Sequence, residues 1–242
     1  MRDIESVTPS DHAYRVREMF ASIAGRYDLL NHLLSGNIDK RWRRLVANAL
    51  APALANPESQ ILDVACGTGD LALTLKGSGA ARIVGIDFCR PMLDIAARKA
   101  NTTQSSLPFV EGDALSLPFA DCSFEAATIA FGLRNLADVG AGIKELLRIL
   151  KPGGSVVVLE FSKPNVPVLN SLFKFYFTKV LPRFGGWISG SKSAYQYLPD
   201  SVTRFPDQQE LAGMMGVAGF ENVNFKNLTG GVAALHVGTR PR

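Results

Sequence analysis

The chain is poor in the residues that build covalent or metal frameworks: of its 242 residues, three are cysteine, three histidine and two tryptophan. Cys66, Cys89 and Cys122 stand far apart without a C-x-x-C pair, which argues against a disulfide framework or a structural zinc site and fits a reducing cytosol. His12 and His32 lack the spacing of a metal set, so no metal is expected; His236 reads as a packed structural histidine in an edge strand. No run approaches the roughly 18 uninterrupted apolar residues of a spanning helix, and Met1-Arg-Asp-Ile-Glu5 carries no apolar signal core. A soluble, cytoplasmic protein is expected, attached at most to the inner face of a membrane. Internal repeats, low-complexity tracts and basic runs interleaved with aromatics are lacking too, which speaks against a nucleic-acid partner. Net charge is only +4, compatible with an anionic ligand and diagnostic of none.

What is present is a packed-core composition, 47% hydrophobic and 20% charged, with two periodicities. Val16, Met19, Phe20, Ile23 and Tyr27 recur at helical spacing over residues 14–30, and a second helix is expected from Trp42 to Leu50, stopping near Pro52. Short β-rich runs then alternate with helices: strands near 60–66, 82–87, 107–111, 124–130 and 155–161, and helices at 70–76, 91–99 and 139–150. Lys151-Pro-Gly-Gly154 reads as the turn before the last of these strands. Such alternation implies a parallel sheet covered on both faces. A helix over 206–219 and two β-like runs around Gly230-Gly231 predict an antiparallel hairpin at the sheet edge. The expectation is one domain over 1–242, with a helical cap at 1–50 and a Phe-, Tyr- and Pro-rich insertion at 162–205 covering a site.

In an open α/β sheet, ligands gather where strands end and loops diverge. Ala65-Cys-Gly-Thr-Gly69 lies at such an end; Gly67 and Gly69 permit close backbone approach, and the helix at Asp70 points free N–H groups there. Asp87 ends the next strand, where a carboxylate can accept two ribose hydroxyls. Gly112-Asp113-Ala114 follows a third strand: Asp113 suits an adenine amino group and the Ala114 N–H suits the ring. A dinucleotide would need glycine at Ala72, and Asp70 would repel a pyrophosphate. Asp63 and Asp70 instead suit a cationic ligand. The ordered set resembles the class I S-adenosylmethionine-dependent methyltransferases, which implies a Rossmann-like, doubly wound, mostly parallel seven-stranded sheet and S-adenosyl-L-methionine as cofactor.

Further segments resemble a narrower family. They are Met19 to Asn31, Asp63 to Leu71, Phe131-Gly-Leu-Arg-Asn135, Glu160-Phe-Ser-Lys-Pro164, Ala194-Tyr-Gln-Tyr-Leu198 with Phe205-Pro206, Asn227 to Gly231, and Leu235-His-Val-Gly238. Together they resemble the menaquinone/ubiquinone-biosynthesis C-methyltransferases, which methylate a polyprenylated quinol ring. The resemblance implies cofactor contacts at Thr68, Asp87, Asp113 and Ala114. It implies one at Ala130 too, where the family often has serine, so that a hydroxyl contact is missing here. Cys66, where the family commonly has glycine or alanine, reads as a small buried thiol.

Methylating an aromatic carbon requires a phenolate to push electrons into the ring, then loss of a ring proton. Arg134 can favour the phenolate and Asn135 can orient a hydroxyl or water; Arg134 in a salt bridge is the plainer alternative. Arginine is a poor base, so the base is expected to be water or the substrate oxyanion. Tyr27 is a candidate beside them or a core aromatic, and Tyr195 and Tyr197 are candidate quinol contacts or packing. An apolar stripe at Val168, Leu169, Leu172, Phe173, Tyr176, Phe177 and Val180 fits three roles: core, groove for an isoprenoid tail, or a surface docking on acidic lipid. Demethylmenaquinol is the expected acceptor. A benzoquinol of ubiquinone biosynthesis, another small acceptor or a non-catalytic binding module are the alternatives. Oligomeric state is not legible.

Overall fold

The computed structural model describes residues 9–164 and 192–242. The apolar stripe at 168–180 lies outside the described residues, as do most of the 162–205 insertion and the side chain of Tyr195.

The chain opens with α1 (Pro9–Leu34), α2 (Ile38–Ala49) and α3 (Ala51–Ala55). As expected, α2 stops just before Pro52; Pro52 then occupies the first turn of α3, where its missing N–H is not needed. Then β1 (Gln60–Val64), α4 (Asp70–Lys76), β2 (Arg82–Asp87), α5 (Arg90–Thr102), β3 (Phe109–Glu111) and β4 (Phe124–Ala130) alternate. They are followed by a 3-10 turn (Leu133–Asn135), α6 (Val139–Ile149), β5 (Leu150–Phe161), α7 (Lys192–Arg204), α8 (Gln208–Ala218), β6 (Glu221–Leu228) and β7 (Ala233–Thr239).

The strands form a seven-stranded sheet in the order β3-β2-β1-β4-β5-β7-β6. β1 to β5 are parallel, as the alternating pattern predicts. In β1, Ile61 packs with Val46, Leu54 and Leu75 on the face covered by α2, α3 and α4. Its neighbour Leu62 packs with Ile143, Leu146, Leu211 and Met215 on the face covered by α6 and α8. Burial on both faces is why β1 reads as a continuous apolar run rather than an alternating one.

Three expectations change. Lys151-Pro-Gly-Gly154 is not a separate turn but an excursion within β5, since Leu150 pairs with Phe124 and Ser155 with Ala126. The hairpin sits at the sheet edge, but β7 is its inner strand, antiparallel to both β5 and β6. His236 therefore lies in an interior strand, where it is buried and its Nε2 bonds the Gln208 carbonyl at 2.8 Å.

Candidate active site

The carboxyl end of β1 leads into a loop with left-handed backbone at Ala65, Gly67 and Gly69 (φ 51°, 55° and 80°). Asp87 at the end of β2 holds this loop: its Oδ2 accepts the Gly67 N–H at 2.8 Å and its Oδ1 the Cys89 N–H at 2.9 Å. Burial pushes the Asp87 carboxyl up, opposed by those backbone N–H groups. Each oxygen keeps acceptor capacity after its backbone bond, so a diol can still be received. Gly69 does not line the cavity; a Cβ there would meet Ala96 at 3.0 Å and Phe109 at 3.1 Å. Its role is the left-handed entry to α4 and close packing.

Above the strand ends lies a cavity of about 590 Å³. Asp63, Gly67, Thr68, Asp87, Asp113, Ala114 and Ala130 all line it, and so do Tyr27, Arg134, Asn135 and Tyr197. The sheet order divides it in two. The ends of β3, β2 and β1 carry Asp113, Asp87 and Asp63, while the ends of β4 and β5 and the approach to β7 carry Phe131, Phe161 and Val232.

Among the described residues, four buried side-chain polar atoms have no hydrogen-bond partner: Asp63 Oδ2, Arg134 Nε, Asn135 Oδ1 and His236 Nδ1. The first three belong to residues lining this cavity. Buried polar atoms are rarely left unpaired, because each costs about 1–3 kcal/mol. Three of the four thus belong to the walls of this one cavity, within the packed shell behind its open space.

Asp63 is 1% exposed, and its Oδ1 accepts the Thr128 hydroxyl at 2.7 Å. Burial pushes its carboxyl up to about 7, against the Thr128 bond that favours the charged form. Since the folded pKa exceeds the ordinary 3.8, the contribution of Asp63 to stability is present below about pH 4 and lost as pH rises towards 7. A cationic ligand has the opposite preference, because it needs the carboxylate. Affinity for such a ligand is therefore expected to rise with pH up to about 7, with proton release on binding below it. Calorimetry in buffers of different ionisation heat measures that release, and Asp63→Asn should remove it; an unchanged release would exclude Asp63.

α1 roofs the cavity with Met19, Phe20, Ile23, Tyr27 and Asn31. It is tied down by Asp28, which accepts the Thr68 hydroxyl and pairs with Lys99 at 2.9 Å. The Thr68 hydroxyl, expected to contact cofactor, is thus engaged with the cap. Lys99 also pairs with Asp70, as do His32 at 3.6 Å and Arg43 at 3.4 Å. His32, Asp39 and Asp70 bring donor atoms within 4.8 Å of one another, a grouping their sequence spacing did not suggest. Arg43 pairs with both Asp39 and Asp70, so protein cations already balance the acids. Tyr27 packs edge-on against Phe20 with centroids 5.9 Å apart. Burial pushes its phenol up, against the bond with Asn31, so it stays a proton-bearing hydroxyl.

Arg134 takes the salt-bridge alternative and still lines the cavity. Its Nη1 pairs with Glu160 at 2.7 Å and donates to the Phe131 carbonyl at 2.6 Å. Asn135 Nδ2 donates to the same carbonyl at 3.2 Å, which leaves Oδ1 as the free end of the amide. Sequence reasoning missed Glu160 as a partner, although an acid inside Val156-Val-Val-Leu-Glu-Phe161 requires one. It also missed Trp42, Phe131 and Phe161 as cavity walls, since aromatics at such positions read equally well as core.

Residues 8–240 match the model of the ubiE/COQ5 methyltransferase family. A demethylmenaquinone methyltransferase of Thermus thermophilus is 52% identical over 92% of this chain and 100% of its own length. The ubiquinone/menaquinone biosynthesis C-methyltransferase UbiE of Geobacter sp. strain M21 is 47% identical over 96% and 98%. Among solved structures, a SAM-dependent methyltransferase of Thermotoga maritima superposes with TM-score 0.61 at 22% identity over 93% and 99% of the two chains. The [4+2]-cyclase SpnF superposes with TM-score 0.68 at 20% identity over 93% and 95%. A cyclase on the same framework means that the fold alone does not name the reaction.

Proposed function

Because the chain belongs to the ubiE/COQ5 methyltransferase family and is an S-adenosylmethionine-dependent methyltransferase, we propose that its acceptor is a polyprenylated quinol, demethylmenaquinol above all, methylated at a ring carbon. The observation that carries this reading is an unpaired donor, Arg134 Nε, and an unpaired acceptor, Asn135 Oδ1, on consecutive residues that line the cavity. A phenolic hydroxyl matches both at once: it donates to Asn135 Oδ1 and accepts from Arg134 Nε–H.

S-adenosylmethionine supplies an electrophilic methyl group when bound. Asp63 Oδ2 would hold its ammonium, Asp87 its ribose diol, and Asp113 with the Ala114 N–H its adenine. Gly67 lets the backbone come close, and the Ala130 backbone lies beside it. On the acceptor side, Asn135 Oδ1 would accept the phenolic O–H, and once that proton has passed to water Arg134 Nε–H would hold the phenolate oxygen. Tyr27 donates from its protonated hydroxyl. Glu160, 1% exposed and paired with Arg134, holds the guanidinium in place, so the ring proton leaves to water or to the substrate oxyanion. The apolar underside of α1 excludes solvent.

We read residues 1–242 as one unit in which 1–50 form the cap and 162–205 cover the acceptor; Tyr197 and Leu198 of α7 line the same cavity as the strand ends. No described helix is long and apolar enough to cross a membrane. A polyprenyl acceptor places the working protein at a membrane surface, which co-sedimentation with anionic vesicles at low salt tests. A relative named for both quinones favours the benzoquinol as a second acceptor. The decisive assay combines purified protein, labelled donor and short-chain forms of each quinol, with mass analysis of the ring. Donor binding without methylation of either quinol would overturn the reading.

A further inference from the structure

We infer that Trp42, Phe131 and Phe161 form the platform on which the acceptor ring stacks, and that Trp42 sets how many fused rings it takes. The inference rests on the quinol reading above. Trp42 and Phe131 have ring centroids 5.9 Å apart at 43°, and Phe131 and Phe161 are 4.8 Å apart at 44°. The guanidinium carbon of Arg134 lies 5.3 Å from the Phe161 centroid. All three residues line the cavity, Trp42 with 5% of its surface exposed and Phe131 and Phe161 half-buried.

Their place in the sheet puts them on the acceptor side. Phe131 directly follows β4, Phe161 ends β5, and Trp42 is pinned by its Nε1–H to the Thr229 hydroxyl at 3.2 Å, just before β7. The donor-side acids stand at the ends of β1, β2 and β3. Phe131 also joins the platform to the polar pair, because its carbonyl receives both Arg134 Nη1 and Asn135 Nδ2. It does so at φ 56°, a left-handed conformation that a bulky residue adopts only where its surroundings enforce it. Phe131 and Phe161 thus stand next to Arg134 and Asn135, the polar groups of the acceptor side. Trp42 extends the wall away from that pair, where a second fused ring would lie.

The test uses the full chain, with donor affinity checked for every variant. Aromatic stacking is worth roughly three- to tenfold in binding. Trp42→Phe should raise KM for a short-chain naphthoquinol by that factor and KM for a one-ring benzoquinol by less than about twofold. Phe161→Leu should raise both. Trp187→Phe leaves Trp42 as the sole tryptophan, and its fluorescence should be quenched saturably by the naphthoquinone. Unchanged KM values in both wall variants would overturn the platform, as would quenching without saturation. Weakened donor binding with unchanged acceptor KM would assign the wall to adenine and overturn it equally. If Trp42→Phe fails to bind donor, Phe161→Leu and the quenching decide. Wild-type protein inactive on every quinol would instead strike the acceptor reading itself.

Discussion

Arg134→Ala is expected to lower kcat by roughly two to three orders of magnitude, the usual cost of a lost donor to a developing oxyanion, and to leave donor affinity within about twofold. The side chain is 6% exposed and paired with Glu160, itself 1% exposed. The same substitution should therefore destabilise the fold by about 3–5 kcal/mol, because a buried carboxylate loses its counter-charge. The two effects are separable. Arg134→Leu with Glu160→Leu removes both charges and should recover most of the stability in a urea melt while turnover stays low. Arg134→Lys keeps a cation near Glu160 but has no Nε–H and no planar fork, so it too should stay slow. Unchanged kcat in Arg134→Ala would remove the residue from the chemistry.

Asp87→Ala should strike the other half of the cavity and weaken donor binding by roughly a hundredfold or more. The carboxylate serves the Gly67 and Cys89 N–H groups besides the expected diol, and charge-assisted bonds of this kind are worth about 1.5–3 kcal/mol each. Their loss is not additive, since releasing the Gly67 N–H also lets the loop move. Asp87→Asn retains one acceptor oxygen and should fall between, roughly tenfold weaker, because a neutral oxygen accepts about half as strongly. Burial already pushes the Asp87 carboxyl up, so the wild-type donor affinity should decline in acid while that of Asp87→Asn is flatter. Calorimetric titration with the donor or its demethylated product reads both; equal affinity in wild type and Asp87→Ala would remove Asp87 from donor binding.

The gathering of the acidic half of the cavity was legible because each of its parts is a short contiguous motif at a strand end: Ala65 to Gly69, Asp87, then Gly112 to Ala114. Local chemistry sufficed there. The acceptor half draws Trp42, Phe131, Phe161 and Thr229 from separate elements, and no periodicity brings such residues together. Glu160 illustrates the difference: its burial was foreseeable from an apolar strand, its pairing with Arg134 was not. Strand order was legible but not read: β6, Glu221–Leu228, is polar and mostly exposed, whereas β7, Ala233–Thr239, is apolar and mostly buried, as an inner strand must be. The tie between the Thr68 hydroxyl and the cap was not legible, because its partner, Asp28, lies forty residues upstream.

That interior position of β7 has a consequence for how the chain is born. Synthesis delivers residues 60–161 first, and with them β1 to β5 and every acid of the donor half. Until residues 233–239 arrive, β5 has an open edge along Ser155 to Phe161, where its pairing with β7 is still missing. Val156 to Leu159, buried in the finished sheet, stay incompletely covered on the nascent chain, the kind of edge that invites mispairing. The donor half can thus assemble while the chain is still being made, whereas Thr229 and Val232 come to the acceptor wall only with the hairpin that seals β5.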